Sequence, residues 1–317
     1  MPSRPQLPKK SLAFRKTGTA LGLGLSLAFA PVLVGDAFAF KIFGITLFGE
    51  DETANDVIDP VRYNVALDTD GADKELAQTL ERASLLVQGE ETPVSGDLGL
   101  VIKARDDRDR LVATLYENAR YGGVVTVTID GRDIDDLPPI PDFNRSGPIP
   151  VTVTVDPGPV FTLGQVSLQG DAAALDPAAY DLAPGGPAGS LVILKAGQKM
   201  VDDLKADGRP LAALARREVV ADHENRTVDV TLAVEAGPVA PIGEVTVKGA
   251  RTVDPAFIAR YARLRQGQSY SPEQLRKAAE RLRALGVFSS VTINEAQELA
   301  ADGSLPLGIV VAEGKHR

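Results

Sequence analysis

The 317-residue chain has no cysteine, no tryptophan and only two histidines, His223 and His316. Without thiols there is no cysteine nucleophile, zinc ribbon, iron–sulfur cluster or disulfide framework. Two isolated histidines leave little for metal or imidazole proton chemistry. Aromatic residues make up 5% of the chain, too few for platforms that stack sugars or single-stranded nucleic acid. Positive charge is also scarce: the formal net charge is −9, so no nucleic-acid partner is expected. Beyond residue 39 no apolar run nears the roughly 20 residues of a membrane-crossing helix. What is present is ordinary for folded domains, 44% hydrophobic and 24% charged, with 30 glycines and 22 prolines marking many turns. Most enzyme classes are disfavoured, and the composition implies no cofactor.

The N-terminus reads as an export signal. Lys9, Lys10, Arg15 and Lys16 precede an apolar stretch from Ala20 to Val34, and Ala37-Phe38-Ala39 supplies a small–x–small cleavage site. Cleavage after Ala39 is expected, since Gly22, Gly24, Ser26 and Pro31 interrupt the stretch too often for an anchor.

Self-similarity is the strongest signal in the chain. The segment 155–170 recurs at 234–249, 79 residues on, with Val155, Gly158, Pro159, Val160, Gly164, Val166 and Gly170 repeated as identical residues. Asp176-Pro177-Ala178 recurs as Asp254-Pro255-Ala256, each an aspartate cap before a helix that starts on proline. In the last unit Val245 and Val247 alternate with polar residues as a half-buried strand. A short helix is predicted from Asp254 to about Leu264, and Ser271-Pro272-Glu273-Gln274 reads as a capping box opening a second. Strands at Val287–Glu295 and Leu307–Glu313 follow. The middle unit reads as a strand at Phe161–Gln169, a short helix from Asp176, a second at Leu191–Lys205, and strands at Leu211–Val220 and Thr227–Glu235. The first shows Val61–Leu67, helices near Asp73–Leu86 and ending near Tyr121, then Val124–Ile129 and Ile149–Val155 joined by a long Pro- and Asp-rich loop, Gly131–Pro148. The predicted fold class is α+β: a signal peptide at 1–39, then three tandem βααββ domains at 40–156, 157–241 and 242–317. Each is a three-stranded mixed sheet with two helices on one face.

This order, repeated in tandem behind an export signal, resembles the POTRA (polypeptide-transport-associated) repeats of the outer-membrane assembly superfamily. Leu285-Gly286-Val287-Phe288 is similar to the family's junction between second helix and second strand. Leu115-Tyr116…Tyr121-Gly122 is similar to the form of that junction in first repeats. Gly208-Arg209-Pro210 stands where relatives often carry Gly-Tyr-Pro, with arginine replacing the aromatic. Three repeats look most like the translocation and assembly module outer-membrane subunit, which serves autotransporters. The resemblance implies a non-enzymatic periplasmic arm, attached to the outer membrane through a β-barrel. It implies unfolded outer-membrane or autotransporter clients and an inner-membrane-anchored partner that spans the periplasm. No alternating barrel strands follow the last repeat, so the sequence is expected to stop short of that barrel.

A three-stranded sheet has two borders that can recruit an extended chain through backbone hydrogen bonds. The borders expected to bind clients are Val124–Ile129, with Val125, Val127 and Ile129; Ala213–Val220, with Leu214, Arg216 and Glu218; and Ser289–Glu295, with Ser289, Val291 and Ile293. Charge is graded along the chain, −12, −4 and +3 for the three units. Arg276, Arg281 and Arg283 are therefore candidates to face the barrel or an anionic membrane, against the plainer reading of a solvated helix face. His223, between Asp222 and Glu224, lacks the partners of a triad or metal site and reads as a hairpin turn. No catalytic or metal residues emerge. The rival readings are a two-partner secretion transporter, an exported hydrolase and a structural spacer.

Overall fold

Valine and isoleucine alternating with threonine build the first sheet: in Ile149–Asp156 every odd-numbered residue is buried and every even-numbered one exposed. The computed structural model describes residues 41–42, 45–46 and 57–314; Ala37, Ala39 and residues 315–317 lie outside the described residues. The described residues fall in two separate units, 41–42 and 45–46 in one and 57–314 in the other. In the first, β1 (Lys41–Ile42) pairs with β2 (Ile45–Thr46).

Residues 54–317 contain three hydrophobic cores in succession. In the first, β3 (Pro60–Val61) and β4 (Tyr63–Asp68) lead into α1 (Lys74–Ala83) and α2 (Leu85–Gln88). The two-residue strand β5 (Val94–Ser95) pairs with β3 and precedes the long α3 (Gly96–Glu117). The sheet then takes β6 (Val124–Ile129), β7 (Arg132–Asp133) and β8 (Ile149–Asp156) in the order β4-β8-β6-β7. It thus has a fourth strand and a third helix beyond the basic βααββ plan. The loop predicted at Gly131–Pro148 is a packed strap. Ile134 and Phe143 enter the core, the Phe143 amide donates to Asp97 (3.0 Å), and Arg145 bridges Asp97 (2.8 Å) and Asp59 (2.7 Å).

The second core lies under β9 (Thr162–Gly170), the 3₁₀ turn Pro177–Tyr180, α4 (Ser190–Ala206), β10 (Ala213–Asp222) and β11 (Thr227–Glu235). The third uses β12 (Ile242–Lys248), α5 (Pro255–Ala262), α6 (Pro272–Arg283), β13 (Phe288–Glu295) and β14 (Leu305–Glu313). In every unit the last strand is central. It runs parallel to the sheet's first strand on one side and antiparallel to its neighbour on the other, β6, β10 or β13. A crossover of helices is what makes that parallel pair sterically accessible.

The repeated Asp-Pro start caps both units as predicted, with Asp176 accepting from the Ala178 amide and Asp254 from that of Ala256. It yields a two-turn helix in the third unit but a single 3₁₀ turn in the second. There Asp181 turns left-handed (φ 60°), and Pro184-Gly185-Gly186-Pro187 follows, a sequence that cannot continue a helix. The capping box at Ser271 does not form. Ser271 is extended and its hydroxyl caps nothing, while Gln274 is held by Gln268.

Gly170 and Gly249, identical in the repeat, end β9 and β12 at φ 65° and 85°, and an added Cβ would fall 2.4 Å and 2.0 Å from the Val234 and Val311 carbonyl oxygens. Gly170→Ala should therefore cost roughly 2–3 kcal/mol in urea unfolding. Gly303→Ala, at φ 79° with nothing within 4 Å, should cost only about 1 kcal/mol.

Glu313 ties the end of β14 to the turn before α5, one carboxylate oxygen accepting from the amides of Arg251 (2.8 Å), Thr252 (2.8 Å) and Val253 (3.0 Å). These amides, Val253 foremost, hold its pKa down at about 2, against 4.5 for the free group. A lowered folded-state pKa means that the latch stabilises fully above the free value and is lost as pH falls toward 2. The three amide resonances should titrate together with a midpoint near 2 and not at all in Glu313→Gln; a midpoint near the free carboxylate value would refute the latch.

Candidate functional site

Helix α4 buries Ile193, Ala196, Gly197, Met200 and Val201 against β10 and β11. Gly197 lets the Leu214 side chain approach to where a Cβ would be 3.3 Å away. Toward the start of α4 the contact opens into a groove of about 470 Å³. One wall is Ser190, Leu191 and Leu194; the other is Arg217, Val219 and Ala221 of β10. Leu194 and Val219 remain 40% and 39% exposed, an unusual state for aliphatic side chains that face each other.

A β-bulge sets which residues line this groove. Leu214 pairs with Val234, but after the register shift Arg217, Val219 and Ala221 face Leu232, Val230 and Val228. The extra residue moves Arg216 and Glu218 to the opposite face, where they pair with each other. The three residues chosen from the sequence therefore do not share a face, because strict alternation does not survive a bulge.

The groove's end is closed by the unit before. Tyr121 stacks on Tyr116 (ring centroids 5.0 Å) and lies edge-on to Phe161 (5.7 Å), which in turn meets His223 edge-on (5.3 Å). The Tyr121 hydroxyl donates to the Ala188 carbonyl (2.7 Å), and burial raises its pKa. His223 opens the hairpin turn knotted by Asp222, which accepts from Glu224 and Asn225.

The joint beneath this aromatic row is repeated. Arg120 donates to the Gly158 carbonyl (2.6 Å), and Arg209 to the Gly237 carbonyl (2.6 Å). Beside them the Phe161 amide bonds to Ala119 (2.8 Å) and the Ala240 amide to Gly208 (3.0 Å). Gly158 and Gly237 are both left-handed, φ 58° and 63°, which frees the carbonyl to face the preceding unit. Arg209 is thus the clasp of the second joint.

Among the borders, β6 is free only over Val124–Thr126, since the Val127 carbonyl accepts from the Ile134 amide (3.1 Å). Its remainder is covered by β7, with Thr128 opposite Asp133 and Ile129 opposite Arg132, so Ile129 is not at a border. Val125, Val127 and Ile129 point into the first core, as Val291 does in the third. Strands β10 and β13 each lie at the edge of their sheet. Ser289 sits at a register irregularity, its hydroxyl donating to Ala312 (3.1 Å). Border β10 is bulged and charged, whereas β13 carries no charge from Phe288 to Asn294.

The arginines selected from charge alone are engaged. Arg276 pairs with Glu280, Arg281 donates to the Ala262 carbonyl, and Arg283 to that of Val291 (2.8 Å). Arg281 ties α6 to α5, and Arg283 ties it to β13. The groove residues Leu191, Leu194 and Val219 were not singled out from the sequence. A signal for them existed in Leu191-Val192-Ile193-Leu194, an apolar run too wide for a single buried stripe.

Residues 240–314 match the POTRA family model, "surface antigen variable number repeat". The crystal structure of Haemophilus influenzae BamA POTRA3-5 superposes with a TM-score of 0.58 at 16% identity, covering 80% of this chain and 97% of that one. POTRA1-3 of Omp85 from Anabaena (0.33, 13% identity, 81% and 96%) and CdiB from Acinetobacter baumannii (0.23, 12% identity, 49% and 30%) are more distant and add nothing to the assignment. No curated protein matches in sequence. The chain has the POTRA fold, repeated in tandem, and its last unit is also recognisable as a POTRA domain from sequence.

Each clasp is a charge-assisted hydrogen bond, worth about 1.5–3 kcal/mol. With no native cysteine, spin labels can be placed at Thr152 and Glu224, on either side of the first joint. Arg120→Met should broaden their distance distribution, while Arg209→Met, at the other joint, should leave it unchanged.

Proposed function

We propose that this chain is the client-binding periplasmic arm of an outer-membrane protein assembly or translocation factor and performs no catalysis. The observation that carries the reading is the open groove between α4 and β10. Its exposed aliphatic walls lie along a sheet border, so an extended segment laid there meets side-chain pockets and unpaired backbone together. The border of β13, uncharged in sequence up to Asn294, offers a second, backbone contact on either side of the Val291 carbonyl, which Arg283 already occupies. Clients would be unfolded outer-membrane β-barrel proteins, whose alternating strands suit both surfaces. Val125 and Val127 of β6, Leu214, Arg216 and Glu218 of β10, and Ser289, Val291 and Ile293 of β13 belong to the proposed borders. Their part is to shape the strand, since most point away from the border.

The finer reading, autotransporter assembly as in the translocation and assembly module, draws its support from the number of repeats. An inner-membrane-anchored partner would then dock on the first unit, and the third would adjoin the β-barrel. Cleavage after Ala39 would deliver the arm to the periplasm.

Photo-crosslinkers at Leu194, Val219 and Ser290 should capture a urea-denatured outer-membrane barrel protein on dilution. One at Thr152, on the open face of the first sheet, should not. Val219→Lys should weaken that capture about tenfold, the equivalent of burying one aliphatic side chain less well. Ser290→Lys with Thr292→Lys should block the β13 contact while leaving the unit folded. Equal capture at all four sites would reduce the arm to a spacer.

A further inference from the structure

The third unit's helix layer carries a second surface, unrelated to client capture. Its carboxylates are already engaged: Glu273 by Lys277, Glu280 by Arg276, and Asp254 by the Ala256 amide. Arg260, Arg263 and Arg265 are exposed, and among the described residues no ion pair neutralises them. All three lie on α5 or the loop after it. On the same helix Phe257 and Tyr261 stack in the open (centroids 5.5 Å), 37% and 39% exposed. Immediately beyond, Arg263, Arg265 and Gln268 line a shallow cup of about 510 Å³.

A solvated helix face would not combine these features. Exposed stacked aromatics cost apolar hydration, and neighbouring unpaired arginines repel one another. Both terms reverse at a bilayer interface, where rings sit among headgroups and guanidinium groups meet lipid phosphates. The first two units carry strong negative charge, so the basic face is also the part of the chain that an anionic bilayer would not repel. We propose that the outer face of α5 and the 263–268 loop dock on an anionic membrane surface, with Phe257 and Tyr261 in the interface and lipid phosphates at Arg263 and Arg265. This replaces the α6 arginines as the membrane-facing set.

The absence of tryptophan makes a direct test available. Phe257→Trp, in the unit that contains all three cores, gives a single tryptophan on the proposed face, excited selectively above the tyrosine absorption. Its emission should shift to the blue with phosphatidylcholine vesicles that contain phosphatidylglycerol. It should stay unshifted with phosphatidylcholine alone, and salt should reverse the change. Arg260→Gln, Arg263→Asn and Arg265→Gln together should weaken partitioning roughly fivefold per arginine; asparagine suits the left-handed position 263. Lysine at 260 and 265 should keep most of the binding, which separates lost charge from lost fold. Unshifted emission, an equal loss from Arg276→Gln alone, or the same blue shift on adding a soluble polyglutamate peptide would overturn the proposal, the last in favour of an acidic protein partner.

Discussion

An arginine reaching back to the carbonyl of a left-handed glycine joins each unit to the next, Arg120 to Gly158 and Arg209 to Gly237. Each joint also carries a backbone bond, Phe161 to Ala119 and Ala240 to Gly208, while Val160 and Val239 of the Gly-Pro-Val connectors stay exposed. A charged donor on a backbone acceptor supplies both strength and direction. At the first joint the Tyr121 hydroxyl adds a bond to Ala188 and brings Tyr116 to the mouth of the α4–β10 groove. The groove is therefore a property of two adjacent units held in one geometry.

The same economy explains the sheets. A unit of about 75 residues buries one row of side chains from a central strand and leaves two borders. The protein treats these borders differently. Strand β7 covers part of β6, a bulge and an ion pair interrupt β10, and β13, uncharged up to Asn294, has a register irregularity at Ser289 and Arg283 on its Val291 carbonyl. At β10 the bulge that roughens the border also turns Val219 and Ala221 toward α4, so one local irregularity both guards the backbone and creates the groove wall.

Charge follows a similar logic. Seven basic residues on the helices and loops of the third unit look equivalent in a helical projection. Their environments divide them into arginines that bond to nearby carbonyls, residues that pair one turn along α6, and the unneutralised group at the end of α5. Only the last group presents net charge to a partner.

Residue pattern alone determined the βααββ order of the third unit, the repetition and the Asp-Pro helix starts. These depend on local alternation, capping chemistry and backbone freedom at glycine, all of which act within a few residues. The strap at 131–148, the shortened helix after Asp176, the bulge in β10 and the partners of each arginine were settled only by the tertiary structure. Each depends on which atom of a distant segment lies within about 3 Å, as when Asp97 meets the Phe143 amide or Arg283 meets the Val291 carbonyl. A hydrogen bond is decided at that range, and periodicity along a chain carries no record of it.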